Sequence, residues 1–374
     1  MSLLKSRFIE LIGNIQNPKY QLVELNEICE FIKDGTHQTP IYTEDRVNGF
    51  KFLSSKDVTS QKINWSNIKY IPKELHEQLY AKLSPKRGDI LLAKNGTTGV
   101  AAVVDSDEIF DIYVSLALLR PKSGVNVSYL CSALNSEDLK RQFNSSLKGI
   151  GVPNLHLREI KKARIIFPPI DIQNKISSIT KQIDKSKFLL QQILEKFELL
   201  KKSRFIEMFG DVINNKKTWP TKRWSYVLNI VNGKNQKKVE CENGIYPICG
   251  SGGKIGKTNE YLTKENSVII GRKGNINNPI LMKTKFWNVD TAFGLEPNNK
   301  DINVEYLYKF CELFDFQRLN KTVTIPSLTK SDLLKIEIPV PPMKLQEEYR
   351  NFLAQVDKSK LIIQKALEDL VGKV

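Results

Sequence analysis

Apolar residues stand at Ile172, Ile176, Ile179, Ile183, Leu190, Ile193, Phe197 and Leu200, and Ser186 is the polar member of the same series. Alternating steps of four and three keep one stripe of a helix facing a partner as the two supercoil. Pro168 and Pro169 stop the preceding strand and admit a helix start. At 1.5 Å per residue this rod extends about 45 Å. Its stripe needs a second helix to cover it.

That second helix is legible near the C-terminus, in the same register, as Leu345, Tyr349, Phe352, Val356, Ser359, Ile363, Ala366 and Leu370. Subtracting 173 (359 − 186 = 173) superimposes the two rods. Gln346 then falls on Gln173, Asp357-Lys358-Ser359-Lys360 on Asp184-Lys185-Ser186-Lys187, and Ile325-Pro326-Ser327-Leu328 on Val152-Pro153-Asn154-Leu155. The chain is an internal repeat. A second block, Ser203-Arg204-Phe205-Ile206-Glu207 with Gly210, repeats Ser6-Arg7-Phe8-Ile9-Glu10 with Gly13. Its offset is larger (203 − 6 = 197), so the first unit carries extra loop residues. Residues 1–13 read as the missing tail of the second rod, which predicts that the two chain ends lie close together.

The segments between the rods mix strand and helix patterns. Tyr20–Leu25 alternates like a half-buried strand, Ile90–Ala93 is an apolar run ending in Lys94-Asn95-Gly96-Thr97-Thr98-Gly99, Ser115–Leu119 reads as a strand, and Val127–Phe143 as one or two helices. Ser267–Asn275 repeats Asp89–Thr97, and Val304-Glu305-Tyr306-Leu307 repeats Val127-Ser128-Tyr129-Leu130. The expected fold is α+β: two mixed α/β domains joined by a pair of long antiparallel coiled-coil helices in a pseudo-twofold, circular arrangement. The expected boundaries are 1–13 for the completing helix, 14–155 and 211–328 for the domains, and 156–210 and 329–374 for the helical regions.

A net charge of +16 creates a field that attracts polyanions, so nucleic acid is the default partner. Five cysteines without a C-x-x-C pair favour neither a disulfide framework nor a zinc site, and no metal site is expected. No run of 18 apolar residues and no signal-peptide core occurs, which predicts a soluble, cytoplasmic protein.

The Leu-Lys-Lys-Ser-Arg-Phe-Ile-Glu block at 200–207, Pro-Pro-x-x-x-Gln at 168–173 and 341–346, Asp34-Gly35-Thr36-His37, Gly88-Asp89-Ile90-Leu91-Leu92 with Lys94-Asn95-Gly96, and Val152-Pro153-Asn154-Leu155 recur in a fixed order. Together they resemble the specificity subunit of type I restriction-modification systems over essentially the whole chain. The resemblance implies a non-catalytic, DNA-binding subunit with two target recognition domains, each reading half of a bipartite asymmetric sequence. It implies a helix pair acting as a ruler for the unread gap; rods of about 45 Å match roughly 13 base pairs. It also implies two modification (methyltransferase) subunits and two restriction (endonuclease and translocase) subunits as partners. No cofactor is expected on this chain; S-adenosylmethionine, ATP and Mg²⁺ would sit on the partners.

Base edges are read by amide, hydroxyl and cationic side chains held on loops of a rigid frame. The candidates are Thr36, His37, Gln38, Lys94, Asn95 and Thr97 in the first domain, and Lys234, Asn235, Gln236, Lys237, Arg272, Lys273 and Asn275 in the second. Lys148 and Lys321 are candidates for phosphate contact. No residue is expected to be catalytic. Gly250–Thr258 imitates a phosphate-binding loop, but Gly256-Lys257-Thr258 needs a glycine at 251 and finds Ser251. Phe167-Pro168-Pro169-Ile170 lacks the ends of an amino-methyltransferase signature, and Glu159-Ile160-Lys161 is too short to define a nuclease. His37, His76 and His156 lack metal-ligand spacing; His37 could touch DNA, while the other two read as structural or surface residues. A self-contained methyltransferase or nuclease, and a coiled-coil scaffold without a DNA role, are the alternatives.

Overall fold

The computed structural model describes residues 3–96, 98–146, 154–320 and 326–371. Thr97, Lys148 and Lys321 lie outside the described residues. The chain forms two compact units, one of Met1–Leu190 with Lys365–Val374 and one of Gln191–Gln364. The C-terminal stretch thus belongs to the same unit as the N-terminal helix. No described helix is long and apolar enough to cross a membrane.

The first unit opens with α1 (Leu3–Ile12), then β1 (Leu22–Glu24), β2 (Cys29–Asp34), β3 (Phe50–Leu53), β4 (Val58–Thr59), β5 (Lys62–Ile63) and β6 (Lys69–Ile71). After α2 (Lys73–Tyr80) come β7 (Ile90–Ala93), β8 (Ala101–Val103), β9 (Phe110–Ile112) and β10 (Leu116–Pro121). Helices α3 (Val127–Leu134) and α4 (Glu137–Ser146), strand β11 (Arg164–Ile166) and the first half of the long α5 (Ile170–Phe209) follow. One sheet has the order β8-β7-β10-β2, with neighbours antiparallel, and a second has the order β9-β3-β6, with β9 parallel to β3. The unbroken apolar run of β7 is explained by burial on both faces. Ile90 and Leu92 join the core that contains Tyr129, Leu130 and Ile176, while Leu91 and Ala93 join the core that contains Leu53, Phe110 and Ile112.

The second unit repeats the plan. It contains β12 (Thr221–Arg223), β13 (Leu228–Asn232), β14 (Tyr246–Gly250), β15 (Gly253–Thr258), β16 (Ser267–Gly271), β17 (Ile280–Met282), β18 (Trp287–Asn288), β19 (Ala292–Pro297), α6 (Val304–Leu313), β20 (Glu337–Pro339) and most of α7 (Met343–Val371). The sheet orders are β17-β16-β19-β13 and β15-β14-β18, with β18 parallel to β14, so both sheets match those of the first unit strand for strand. Short antiparallel pairs, β1 with β11 and β12 with β20, close each domain beside its long helix.

Equivalent side chains make equivalent bonds in each unit. Asn126 caps α3 by accepting the Tyr129 N–H at 2.9 Å, and Asn303 caps α6 by accepting the Tyr306 N–H at 2.9 Å. The Tyr129 hydroxyl donates to the Ile166 carbonyl at 2.5 Å, and that of Tyr306 to the Pro339 carbonyl at 2.9 Å. At the end of α1, Arg7 pairs with Glu10 and the Lys19 ammonium donates to the Glu10 carbonyl; at the end of α5, Arg204 pairs with Glu207 and Lys217 donates to the Glu207 carbonyl.

Within the second unit, α5 and α7 run antiparallel. Lys201 reaches Asp357 at 2.7 Å and Glu198 accepts from Lys360 at 2.7 Å, so one helix number rises as the other falls. Phe205 and Phe209 pack edge-on against Tyr349, with ring centroids 5.3 Å and 5.6 Å away. Of the expected seam residues, Ile176, Ile183, Tyr349 and Val356 are buried, while Ile172, Ile179, Leu190, Phe197, Leu345, Phe352, Ile363 and Leu370 are half-buried. Ile193 and Leu200 instead stand exposed at 38% and 46%. The covered line passes one residue later, through Leu194 and Lys201. The reason is visible at Lys201: its carbonyl accepts the Tyr349 hydroxyl at 3.2 Å and its ammonium reaches Asp357, so its aliphatic stem lies along the seam and Leu200 turns outward.

Candidate nucleic-acid interface

In the first unit, the ends of β2, β3, β7 and β9 converge. The Ser55 N–H donates to the Ser115 hydroxyl at 3.0 Å, the Lys94 N–H to the Ser115 carbonyl at 2.8 Å, and the Thr36 N–H to the Ile112 carbonyl at 3.0 Å. Gly35 is required for this convergence, because an added Cβ would meet the Ile112 carbonyl oxygen at 2.1 Å. The second unit builds the same corner: a Cβ on Gly233 would meet the Val289 oxygen at 1.8 Å. The turns after β7 and β16 also match. Leu155 donates to the Lys94 carbonyl and Leu328 to the Arg272 carbonyl, while Gly96 and Gly274 adopt φ of 74° and 76°. Such values favour glycine in a tight turn.

The chemistry on the two corners differs. Lys94 is buried, 4% exposed, and its ammonium lies 2.5 Å from the Asp34 carboxylate. That placement corrects the expectation that Lys94 is a DNA-reading cation: it is spent neutralising a neighbour under the surface. Its counterpart Arg272 has Asn232 where Lys94 has Asp34, as the register of β13 and β19 shows. Arg272 leans over the Phe293 ring at 5.8 Å and is half-buried.

The remaining candidates sort by exposure. His37 and Gln38 are exposed, His37 3.6 Å from Asp34, and Thr36 is half-buried with its hydroxyl accepting the Gln38 N–H. Asn95 is half-buried and bridges to Asn154, and its buried side-chain oxygen has no hydrogen-bond partner among the described residues. Lys234, Asn235, Lys237, Lys273 and Asn275 are exposed, and Gln236 is half-buried. Asn235 orders its loop by accepting the Lys237 N–H at 2.9 Å. The structure therefore gathers Thr36, His37, Lys94 and Asn95 on one corner, and Lys234, Arg272 and Lys273 on the equivalent corner of the second unit.

Beside Thr36 and His37 lies a cavity of about 250 Å³, also lined by Asp34, Leu79, Leu83 and Asp111. Asp111 is buried and accepts from His76 at 2.7 Å; burial raises its pKa above the ordinary value, and His76 opposes that rise. His76 stacks on Phe50 at 3.7 Å, a structural place, and His156 precedes a short helix on the surface. Gly250–Thr258 forms the β14–β15 hairpin rather than a strand-to-helix phosphate loop.

The model of the type I restriction modification DNA specificity domain matches residues 17–199 and again 216–371. A protein of Methanocaldococcus jannaschii assigned as the MjaX specificity subunit of a type I restriction enzyme is 20% identical over 402 residues, covering 96% of this chain and 93% of its own. The S subunit of a type I restriction-modification system from M. genitalium has a similar fold, with a TM-score of 0.51 at 16% identity over 95% of this chain and 94% of that one. A chain from a structure addressing assembly and conformational transition of the type I R-M system gives a TM-score of 0.65 at 17% identity, over 95% of each chain. With both halves matched in turn, the chain belongs to the type I restriction modification DNA specificity family, and it is a specificity subunit, which recognises DNA and is not itself catalytic.

Proposed function

We propose that each unit reads one half of a bipartite, asymmetric duplex sequence through the loops at its corner. The observation that carries this reading is a frame repeated strand for strand whose corners differ in chemistry: a neutralised Lys94 beside Thr36, His37 and Gln38 in one unit, and Lys234, Lys237, Arg272 and Lys273 in the other. A shared frame with divergent loops is what two readers of different sequences require. The net charge of +16 supports phosphate contact as the sequence-independent part of binding. In this reading Lys148 and Lys321 contact phosphates and Thr97 contacts base edges.

The long helices set the gap between the half-sites and dock two modification subunits and two restriction subunits, in the cytoplasm. Exposed Leu199, Leu361 and Ile362 on α5 and α7 support docking, since they leave apolar surface on otherwise charged helices. S-adenosylmethionine, ATP and Mg²⁺ belong to those partners. The test is to exchange residues 211–328 for the corresponding segment of another family member and sequence the methylated sites of a host carrying the complete system. One half of the target should change and the other persist; a change in both halves, or in neither, overturns the reading.

A further inference from the structure

The Gly250–Thr258 segment, which imitates a phosphate loop in sequence, has the shape and charge of a DNA-entering ribbon. Strands β14 and β15 pair antiparallel from Tyr246↔Thr258 to Gly250↔Gly253, with a turn at Ser251-Gly252 and a register shift between Ile248 and Cys249. β15 is an edge strand, and Lys254, Ile255 and Lys257 on it are exposed. At Gly252 and Gly253 an added Cβ would meet nothing within 4 Å, so the outer side of the turn is open. The flanking loop is tied to the same edge, because the Cys241 N–H donates to the Lys257 carbonyl at 2.9 Å, and it brings exposed Lys234, Lys237 and Lys238 alongside. Among the described residues none of these five lysines has an ion pair, and the Glu240 carboxylate lies against Gly256.

The hairpin also springs from the corner already described. Gly250 ends β14 beside Val289 and Thr291, and the Ser251 side chain lies 3.1 Å from where a Cβ on Gly271 would sit, one residue before Arg272. In the first unit the connection leaving the equivalent strand, β3, is a different object. It runs from Ser54 to Ile68 and carries the β4–β5 hairpin, whose tip residues Ser60 and Gln61 are exposed with φ of 49° and 62°. The two units thus diverge in length, charge and turn chemistry at the place where the frame projects a ribbon.

We propose that the β14–β15 hairpin is the element with which the second unit enters a groove of B-form DNA, with Lys254 and Lys257 on phosphates and the Ser251-Gly252 turn at the base edges. The major groove, about 12 Å wide, admits a two-stranded ribbon. Small residues at the tip let the backbone approach the bases, and the unpaired lysines on the edge supply counterion release. The inference deepens the DNA-reading assignment and rests on it.

The test uses the full chain and a random-sequence duplex, with affinity measured across a salt series. Each phosphate contact contributes about 0.9 to the slope of log affinity against log salt, so K254A/K257A should lower it by about 1.8. The Gln pair, K254Q/K257Q, should do the same with unit-two hydrogen exchange unchanged. In the complete system Ser251→Asn should alter methylation preference in one half-target and leave the slope as it was. An unchanged slope in both double variants, while K234A/K273A lowers it, overturns the hairpin and leaves the corner reading intact. A wild-type chain that fails to retain duplex even at low salt overturns both.

Discussion

The side-chain oxygen of Gln173 accepts the backbone N–H of Asn126 at 2.9 Å, and its amide donates to the Pro168 carbonyl at 2.8 Å. Gln346 does the same for Asn303, at 2.9 Å, and Pro341, at 2.8 Å. Both glutamines are buried, so the Pro-Pro-x-x-x-Gln motif locks the start of each long helix to the capped helix of its domain. Truncating either one orphans a backbone N–H at a helix cap. Gln173→Ala should cost about 2 kcal/mol, read as lost hydrogen-exchange protection across α3 and β11, while Gln346→Ala should expose α6 and β20. Loss spread equally over both units by either variant would refute the local clamp.

Lys94 and Asp34 make a second testable pair. Removing one partner leaves a buried charge uncompensated, so Lys94→Met should destabilise the first unit by about 3 kcal/mol, and K94M/D34N should recover most of it. The salt slope of DNA binding should be the same in K94M as in wild type, whereas Arg272→Ala should lower it by about 0.9. A lowered slope in K94M would restore Lys94 to the DNA face.

Between α5 and α7 of the second unit, Glu198 sits below its ordinary pKa because Lys360 donates to it, with Lys201 assisting. Exposure limits the value of such pairs. Lys360→Glu should cost about 0.5 kcal/mol, and E198K/K360E should restore it, as a double-mutant cycle on unfolding would report. A cycle with zero coupling would mean that the aromatic packing of Phe205, Phe209 and Tyr349 alone holds this stretch.

The duplicated frame was legible because period and offset survive in a single chain: Gln173 and Gln346, Pro168 and Pro341, and the two rods declare themselves by position. The seam was legible only to within one residue. A stripe of Ile and Leu marks a broad face, and Lys201 counts as polar in a pattern although its stem packs inside. Lys94 misled for a related reason, since a lysine in a hairpin turn looks solvated until Asp34 is placed beside it by β2 and β10. A usable sign existed in the repeat, where Lys94 and Asp34 change together to Arg272 and Asn232. The β14–β15 hairpin was hidden behind a resemblance to a phosphate loop. Glycines that clear a groove and glycines that cradle a phosphate are spelled alike.

Glu305, buried under α7, offers a pH test. Burial alone would raise its pKa, but the Lys283 ammonium at 2.5 Å and the Arg350 guanidinium at 3.2 Å hold it below the ordinary glutamate value. A depressed folded pKa stabilises the protein above the unfolded pKa, and that stability is lost as pH falls through the folded one. Glu305→Gln should therefore be about 1 kcal/mol less stable than wild type at pH 7, a figure kept small because Lys283 is 55% exposed. The difference should narrow as pH falls below the ordinary glutamate range and close once the depressed folded pKa is passed. Denaturant titrations at several pH values would check it, and a gap that widens toward acid would refute the assignment.

The N-terminal helix gives the last prediction. Ile12 is 5% exposed, and Phe8 and Leu11 pack on the core that holds Ile172 and Ile176. In the second unit the matching positions are Phe205, Met208 and Phe209, all buried in the core around Tyr306 and Tyr349. α1 thus does for the first unit, as a separate piece of chain, what the end of α5 does for the second. Burial of three such side chains stabilises by about 5 kcal/mol, so deleting residues 1–13 should strip hydrogen-exchange protection from β1, β11 and the start of α5 while α6 and β20 keep theirs. Ile12→Ala alone should cost about 2 kcal/mol. Undiminished protection in the first unit after the deletion would mean that the repeat had kept the spelling of this helix without its role.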